Sequence, residues 1–434
     1  MRFCVLQRLI ALFAIALAAV FIGCGDDDDD DDDDDATDEI NVLQGRITAN
    51  TTLEAAREHL LRSAVFIEAG ATLTIEPGTT IFGEGATNGT LVIARGGRIV
   101  ADGTATNPIV FTSDAPEGSQ GRGQWGGLII NGSAPINQGA EAFGEGDTGA
   151  YGGNNPADSS GILRYVRVEY AGIEFSPDNE LNGIAFQGVG SGTVVEHVQV
   201  HFNQDDGIEM FGGTVNIKYA VVSGARDDSF DWTDGWTGKG QFWVALQRGD
   251  DADNGFEVDN LAVDNEATPR SNATIYNVTL VGDPNGPKSD TGLLLREGSA
   301  GTYRNFIVTG FNAAGVEVNG ASSQALAQSG DLTVRNSIFF NNKPGNFAEP
   351  ADGFDARAWA MQAANNNAEV DPKLIDAFNQ TNPDFRPSPD SPAVDGTVPV
   401  AQPPSDGFFE SVNFIGGVGP NDNWLAGWTN FTQP

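Results

Sequence analysis

Two short motifs recur through this chain at the spacing of one solenoid turn, and that spacing limits the folds open to it. One series reads GIAF from Gly183, GIEM from Gly207, SFDW from Ser229, GFEV from Gly255, GLLL from Gly292 and GVEV from Gly315, at intervals of 24, 22, 26, 37 and 23 residues. A second, LRYVRVEYAG from Leu163, VEHVQVHFNQ from Val195, IKYAVVSGAR from Ile217, IYNVTLVGDP from Ile275, YRNFIVTGFN from Tyr303 and VRNSIFFNNK from Val334, is interleaved with it. A unit of about 22–24 residues holding at least two strands is one coil of a three-faced parallel β-helix. Nearer the start, Thr72-Leu73-Thr74-Ile75 and Thr90-Leu91-Val92-Ile93 lie 18 residues apart and read as the same kind of short strand. The 55 glycines, many Asn, Asp and Thr and few Lys suit a tight turn every few residues. The expected fold is all-β, a right-handed single-stranded parallel β-helix.

Alternation within the first series sets which side chains face inward. Ile208, Phe230 and Phe256, continued by Leu293 and Val316, should stack in the interior, while Glu209, Asp231 and Glu257 point out from one sheet. The third position of the second series is Tyr165, His197, Tyr219, Asn277, Asn305 and Asn336. Asn tolerates left-handed backbone and bonds nearby main chain, so this column is expected to be a hydrogen-bonded ladder closing the coils. Open solenoid ends expose strand edges and core and need caps. A short helix over Leu53–Arg62 is expected at the N-terminal end. The stretch 346–434, which loses the repeat and holds a possible helix around Asp355 to Ala364, is expected to close the other end.

The amino terminus reads as a secretion signal. Arg2 and Arg8 precede an apolar run from Leu9 to Ile22 that is short for a membrane span and ends at Gly23-Cys24. Phe21-Ile22-Gly23-Cys24 resembles the lipobox read by lipoprotein signal peptidase, which implies lipidation at Cys24. Asp26 to Asp35 are ten consecutive aspartates, which repel one another and form an extended, solvated tether. Acidic runs after a lipidated cysteine also resemble surface-export signals of some Gram-negative lipoproteins. The expected organisation is a signal peptide over 1–23, lipidated cysteine and tether over 24–38, β-helix over 39–345 (the continuous coils from about Ala64 to Asn342) and a capping region over 346–434. The expected location is the outer membrane, held by the lipid anchor, with the body outside the cytoplasm.

The formal charge of −37 remains −27 without the aspartate run. Such a surface repels phosphate backbones, so nucleic acid is excluded as a partner, while cations and neutral glycans are compatible. Cys4 and Cys24 are the only cysteines, so the body has no disulfide and no thiol chemistry.

The segments TLTIEPGTTI from Thr72, LVIARGGRIVADGTATNPIVFT from Leu91, SGILRYVRVEYAG from Ser160, FNQDDGIEMFGGTV from Phe202 and VNFIGGVGPNDNWLAGWT from Val412 resemble a family of secreted parallel β-helix proteins. The likeness covers about residues 64–430 and implies the fold but no particular activity.

Chemistry concentrates in three acidic pairs, Asp205-Asp206, Asp227-Asp228 and Asp250-Asp251, at intervals of 22 and 23 residues. One coil apart, they should stack beside Glu209, Asp231 and Glu257, with Asp234, Asp253 and Asp259 close in sequence. Carboxylates about 4.8 Å apart repel by roughly 1 kcal/mol even in water. Ca²⁺ turns that repulsion into coordination, because it takes six to eight oxygen ligands. Other readings stand beside it: a solvated acidic ridge, or aspartates bonding their own turn amides, and catalysis. Asn203-Gln204-Asp205-Asp206 and Asp227-Asp228 resemble motifs of the β-helical polygalacturonases, but the histidine and basic clamp of that family are missing. A lyase would instead pair Ca²⁺ with a basic residue, and Arg226, Lys239 and Arg248 are the cations nearby. Those cations read more simply as salt-bridge partners. His201 reads as a turn-packing side chain, Trp232 as core, and Trp236, on a Gly-flanked loop, as the candidate for stacking on a sugar ring. The favoured function is a Ca²⁺-dependent adhesion or glycan-contact module on the cell surface; the alternative is a polysaccharide hydrolase or lyase using the acidic ladder.

Overall fold

The computed structural model describes residues 40–176, 179–350 and 353–434. Cys24, the signal-like segment and aspartates 26–35 lie outside the described residues. Successive repeats form parallel strands in register: Ile184 pairs with Ile208, then Phe230, Phe256, Leu293 and Val316, from the strand Ile184–Gln187 through Ala314–Val318. All six side chains are fully buried in one interior stack, so the inner column read from the alternation is present. Glycine opens most of these rungs because the neighbouring face comes too close for a side chain. A Cβ on Gly183 would lie 2.4 Å from Val200 Cγ1, and one on Gly207 2.4 Å from Val222 Cγ1.

The other two faces share long strands, each bent at one residue. Gly161–Glu169, Val194–His201, Asn216–Ser223, Lys239–Leu246, Asn272–Val281 and Ala300–Thr309 run parallel. Their corner residues Tyr165, His197, Tyr219, Phe242, Asn277 and Asn305 have φ of 49°, 55°, 60°, 61°, 57° and 61°. The left-handed backbone expected of the Asn column is therefore present, but the side chains bond a distant chain segment in place of the nearby backbone expected. At a corner the side chain projects onto the flank of the solenoid. There Asn277, Asn305 and Asn336 donate to the carbonyls of Phe414, Ala401 and Pro399 at 3.0, 2.8 and 2.9 Å.

Those carbonyls belong to the C-terminal region, whose expected role as an end cap holds for its first part only. Helix α1 (Ala321–Ser329) and helix α2 (Ala356–Ala360), with Phe347, Phe354 and Trp359, close the last coil and join the interior core. Asp355 caps α2 by accepting the Ala358 N–H at 2.8 Å. The remaining chain turns back along the flank as a strap, where Val418, Leu425 and Trp428 cover Val221, Val244, Leu246 and Val281. Outward-facing valines make this face apolar, and a chain segment shields it from water.

The N-terminal end also differs from expectation. No helix spans Leu53–Arg62; Thr51–Leu53 and His59–Ile67 are strands. The edges of Thr72–Ile75 and Thr80–Gly83 offer unpaired backbone groups, which these residues satisfy in register, Thr51 beside Leu73 and His59 beside Ile81. The strand Asn41–Ile47 adds a further layer, so the coils begin well before Ala64.

Candidate metal centre

The acidic side chains sit in the turns that lead into the first sheet and on its outer face. Gly207 N–H donates to Asp228 O, Ser229 N–H to Asn254 O and Gly255 N–H to Thr291 O, so the turns stack as faithfully as the strands. Asp205-Asp206 and Asp227-Asp228 are therefore consecutive rungs, as the spacing implied. The third rung is Asp253-Asn254 rather than Asp250-Asp251. The register follows Phe230 onto Phe256, which places Asp253 under Asp227 and pushes Asp250 and Asp251 into the preceding loop. Asp290, beside Asp253, is the fourth rung, its N–H donating to Asp253 O at 2.7 Å. Asp205, Asp227, Asp253 and Asp290 each stand two residues before the residue that opens a rung. Counting back from Gly207, Ser229, Gly255 and Gly292 would have found Asp253 and Asp290, which a search for Asp-Asp pairs misses.

Asp206, Glu209 and Asp228 are buried, Asp205 and Asp231 are half-buried, and Asp227 is exposed. One oxygen of Asp206 accepts the N–H of Asp228, and one of Asp228 accepts that of Asn254. The aspartates thus bond the turn amides of the next coil and not their own, with one oxygen of each so engaged. Asn182 donates to Glu209, and the buried Oδ1 of Asp231 has no hydrogen-bond partner. Asp205, Asp206 and Asp227 each bring an oxygen within 4.8 Å of the others, as do Asp206, Asp228 and Asp231, and Asp227, Asp228 and Asp253. Asp206, Asp227 and Asp228 link the three groups into one connected set. The outer turns line a cleft of about 320 Å³ that also contains Glu180, Arg226 and Lys288.

Burial, then the neighbouring carboxylates, pushes Asp205 up to about 8 and Asp206, Glu209, Asp228 and Asp231 well above the usual carboxylate range. Asp253 rises to about 6 for the same reasons. Glu257 rises to about 8, by burial and Asp259, although Arg296 pairs with both Glu257 and Asp259. Beyond the turns, Glu145, in the stretch between the strands Gly127–Asn131 and Gly161–Glu169, rises to about 7 through burial, Glu180 and Asp234.

The surrounding acids are neutralised differently. Asp251 is ion-paired with Arg226 at 2.7 Å, and Asp250 with Arg122 and Arg248 at 3.3 and 3.4 Å. Lys239 pairs with Asp406 on the strap. All three cations weighed as catalytic bases are thus salt-bridged. Among the described residues, Asp205, Asp206, Glu209, Asp227, Asp228 and Asp231 have no ion pair with Lys or Arg.

Trp236 is not exposed for stacking on a ligand. It is fully buried, its Nε1 donates to Val215 O at 3.1 Å, and it packs on Trp232 and Trp243. Its glycine-flanked loop folds the ring back under the coil instead of out to solvent. His201 is also buried, bonded to Ser223 Oγ and Thr432 O, and burial lowers it to about 4. It anchors the end of the strap.

A parallel β-helix with carboxylates collected on one set of stacked turns is the class of protein that fold and site define. The chain belongs to the pectate-lyase-like beta helix domain family, whose model matches residues 45–377. No curated protein and no solved structure matches it.

Proposed function

We propose that this chain is a lipoprotein of the outer membrane, anchored through Cys24, whose β-helix holds Ca²⁺ on the Asp205–Asp228 turns and contacts surface polysaccharide through it. The observation that carries the reading is the contrast within one acidic surface: the peripheral acids Asp250, Asp251, Glu257 and Asp259 have arginine partners, while six carboxylates at the centre have none among the described residues. A hard divalent cation supplies the missing charge there, and oxygen ligands without Cys or His disfavour zinc or copper. The bound ion offers remaining coordination positions to hydroxyl or carboxylate oxygens of a glycan lying in the cleft.

The test is thermal unfolding in EDTA and in millimolar Ca²⁺, for the parent and for Asp227→Asn/Asp228→Asn. Binding to the folded state raises the melting temperature of the parent. No Ca²⁺-dependent shift, or an equal shift in the double variant, rejects the metal site. Retention on a glycan panel should then depend on Ca²⁺; release of shortened glycan would reassign the face to a hydrolase or lyase. Cys24→Ser should abolish labelling by radioactive fatty acid, and unchanged labelling removes the anchor from the reading.

A further inference from the structure

Two loops on successive coils meet glycine to glycine. Gly249 donates its N–H to Asp283 Oδ2 at 3.1 Å and accepts the Lys288 N–H on its carbonyl. A Cβ on Gly249 would lie 2.4 Å from Gly286 Cα, so the loops touch too closely for a side chain there. This contact holds in place the residues that flank Gly249. Arg248 Nε lies 3.4 Å from Asp250 Oδ1, and the Arg248 guanidinium sits over the ring of Phe202, 5.3 Å from its centroid. The Arg122 guanidinium sits 5.3 Å from the same centroid and reaches the same Asp250 oxygen at 3.3 Å. The charge of Asp250 is thereby matched, while the two terminal nitrogens of Arg248 have no hydrogen-bond partner among the described residues.

Arg248 and Asp250 line a cleft of about 610 Å³, with Phe202, Asp283 and Pro287 from the coils and Gln433 from the strap. That volume is in the range of small-ligand sites. The oxygens of Asp283 accept the N–H groups of Gly249 and Asn285. The charged groups left for a ligand are therefore a donor and an acceptor side by side, the Arg248 fork and the exposed Asp250 carboxylate. A bare anion in the cleft meets Asp250 and Asp283, and a bare cation meets Arg248. A neutral partner that both donates and accepts meets neither penalty. Adjacent hydroxyls on a sugar ring do both, one donating to the carboxylate and the other accepting from the guanidinium, while Pro287 offers an apolar edge to the C–H face of the ring. The geometry points to this cleft as a binding site for a neutral sugar, recognised through a vicinal diol by Arg248 and Asp250. Asp251 and Lys288, next in the chain after Asp250 and Pro287, line the cleft of the acidic turns, so an oligosaccharide seated here continues toward them. The site goes beyond the reading above in needing no metal.

The test is calorimetry in EDTA with maltotetraose and cellotetraose as neutral probes. Two controls accompany them: tetragalacturonate, and the same neutral sugars after periodate cleavage and borohydride reduction, which lack the ring diol. At least one neutral tetrasaccharide should bind the parent, and Arg248→Met, which leaves Asp250 paired with Arg122, should weaken it by about tenfold or more. Asp250→Ala, which removes the acceptor, should weaken it in the same direction. No binding of either neutral probe, equal binding of tetragalacturonate or of the cleaved sugars, or unchanged affinity in either variant overturns the assignment. A variant that has lost its melting transition is replaced by Arg248→Lys, which keeps the charge without the fork and should also bind about tenfold more weakly; parent-like affinity in it overturns the assignment. Asp227→Asn/Asp228→Asn should bind the neutral sugar as the parent does. Binding that appears only with Ca²⁺ and is lost in that double variant overturns this site and leaves the metal reading standing. Binding in EDTA by a protein whose melting temperature ignores Ca²⁺ does the reverse.

Discussion

The carboxylate of Asp206 accepts the backbone N–H of Asp228 at 2.9 Å, one coil further along. That single bond ties one oxygen of Asp206 into the fold; the other is the oxygen proposed to face a cation. Asp206→Asn keeps the accepting oxygen and removes the charge, whereas Asp206→Ala strands a buried N–H. Urea unfolding in EDTA at pH 8 should show the Asn variant at least as stable as the parent and the Ala variant about 1–3 kcal/mol less stable. Equal losses in both would mean that the charge itself supports the metal-free fold.

Raised carboxylate pKa values give a pH dependence of defined sign. The folded state holds protons that the unfolded chain has already released, so these groups contribute stability fully present below their unfolded values near 4 and lost as pH rises through the folded ones. With Asp253 at about 6 and Asp205 and Glu257 at about 8, the window is about pH 4 to 8. In EDTA the melting temperature should fall across that window. Ca²⁺ should flatten or reverse the fall, because it replaces the protons. A metal-free protein that becomes more stable from pH 5 to 8 would contradict the electrostatics of the turns.

Trp236 is a core residue, and truncating it should behave as a core truncation. Trp236→Ala removes packing on Trp232 and Trp243 and the bond to Val215 O. The expected cost is about 3–5 kcal/mol by denaturant unfolding. Trp236→Phe should recover most of the packing but not the hydrogen bond. A stability loss below about 1 kcal/mol for the alanine variant would place the ring outside the core.

The repeat was readable because each rung imposes the same demands: a small residue where Val200 or Val222 crowds the backbone, and an apolar residue next to it. Periodicity therefore revealed the interior stack, and the acidic turns came with it. What it could not reveal was register within loops of unequal length. Asp250-Asp251 imitates the earlier pairs, yet Phe256 fixes the rung at Asp253. Nor does a local pattern distinguish a glycine-flanked Trp236 that points out from one tucked under its coil. Leu53–Arg62 has the apolar spacing of a short helix, but its fate was decided by strand edges at Leu73 and Ile81, contacts that exist only once the coils have formed. The strap was hidden for the same reason: its partners are corner side chains far away in sequence.

Asn305 is the residue on which the strap can be tested most cleanly. Its side chain both donates to Ala401 O and accepts the Ala401 N–H, each at 2.8 Å, and its backbone is left-handed with φ of 61°. Two separate requirements therefore meet in one position. Asn305→Gly relieves the backbone requirement but loses both bonds; Asn305→Ala fails on both counts. Each lost bond is worth about 1 kcal/mol and left-handed alanine costs about 1–2 kcal/mol more. The alanine variant should thus be about 3 kcal/mol less stable than the parent, and the glycine variant should lie between them. In both, hydrogen exchange at the Ala401 amide should accelerate, because its acceptor is the Asn305 side chain. Amides inside the coils, such as Ile208, should keep their protection when the strap is only loosened. Unchanged exchange at Ala401 in the glycine variant would show that the strap is held by its apolar contacts at Val418, Leu425 and Trp428 and not by the corner asparagines.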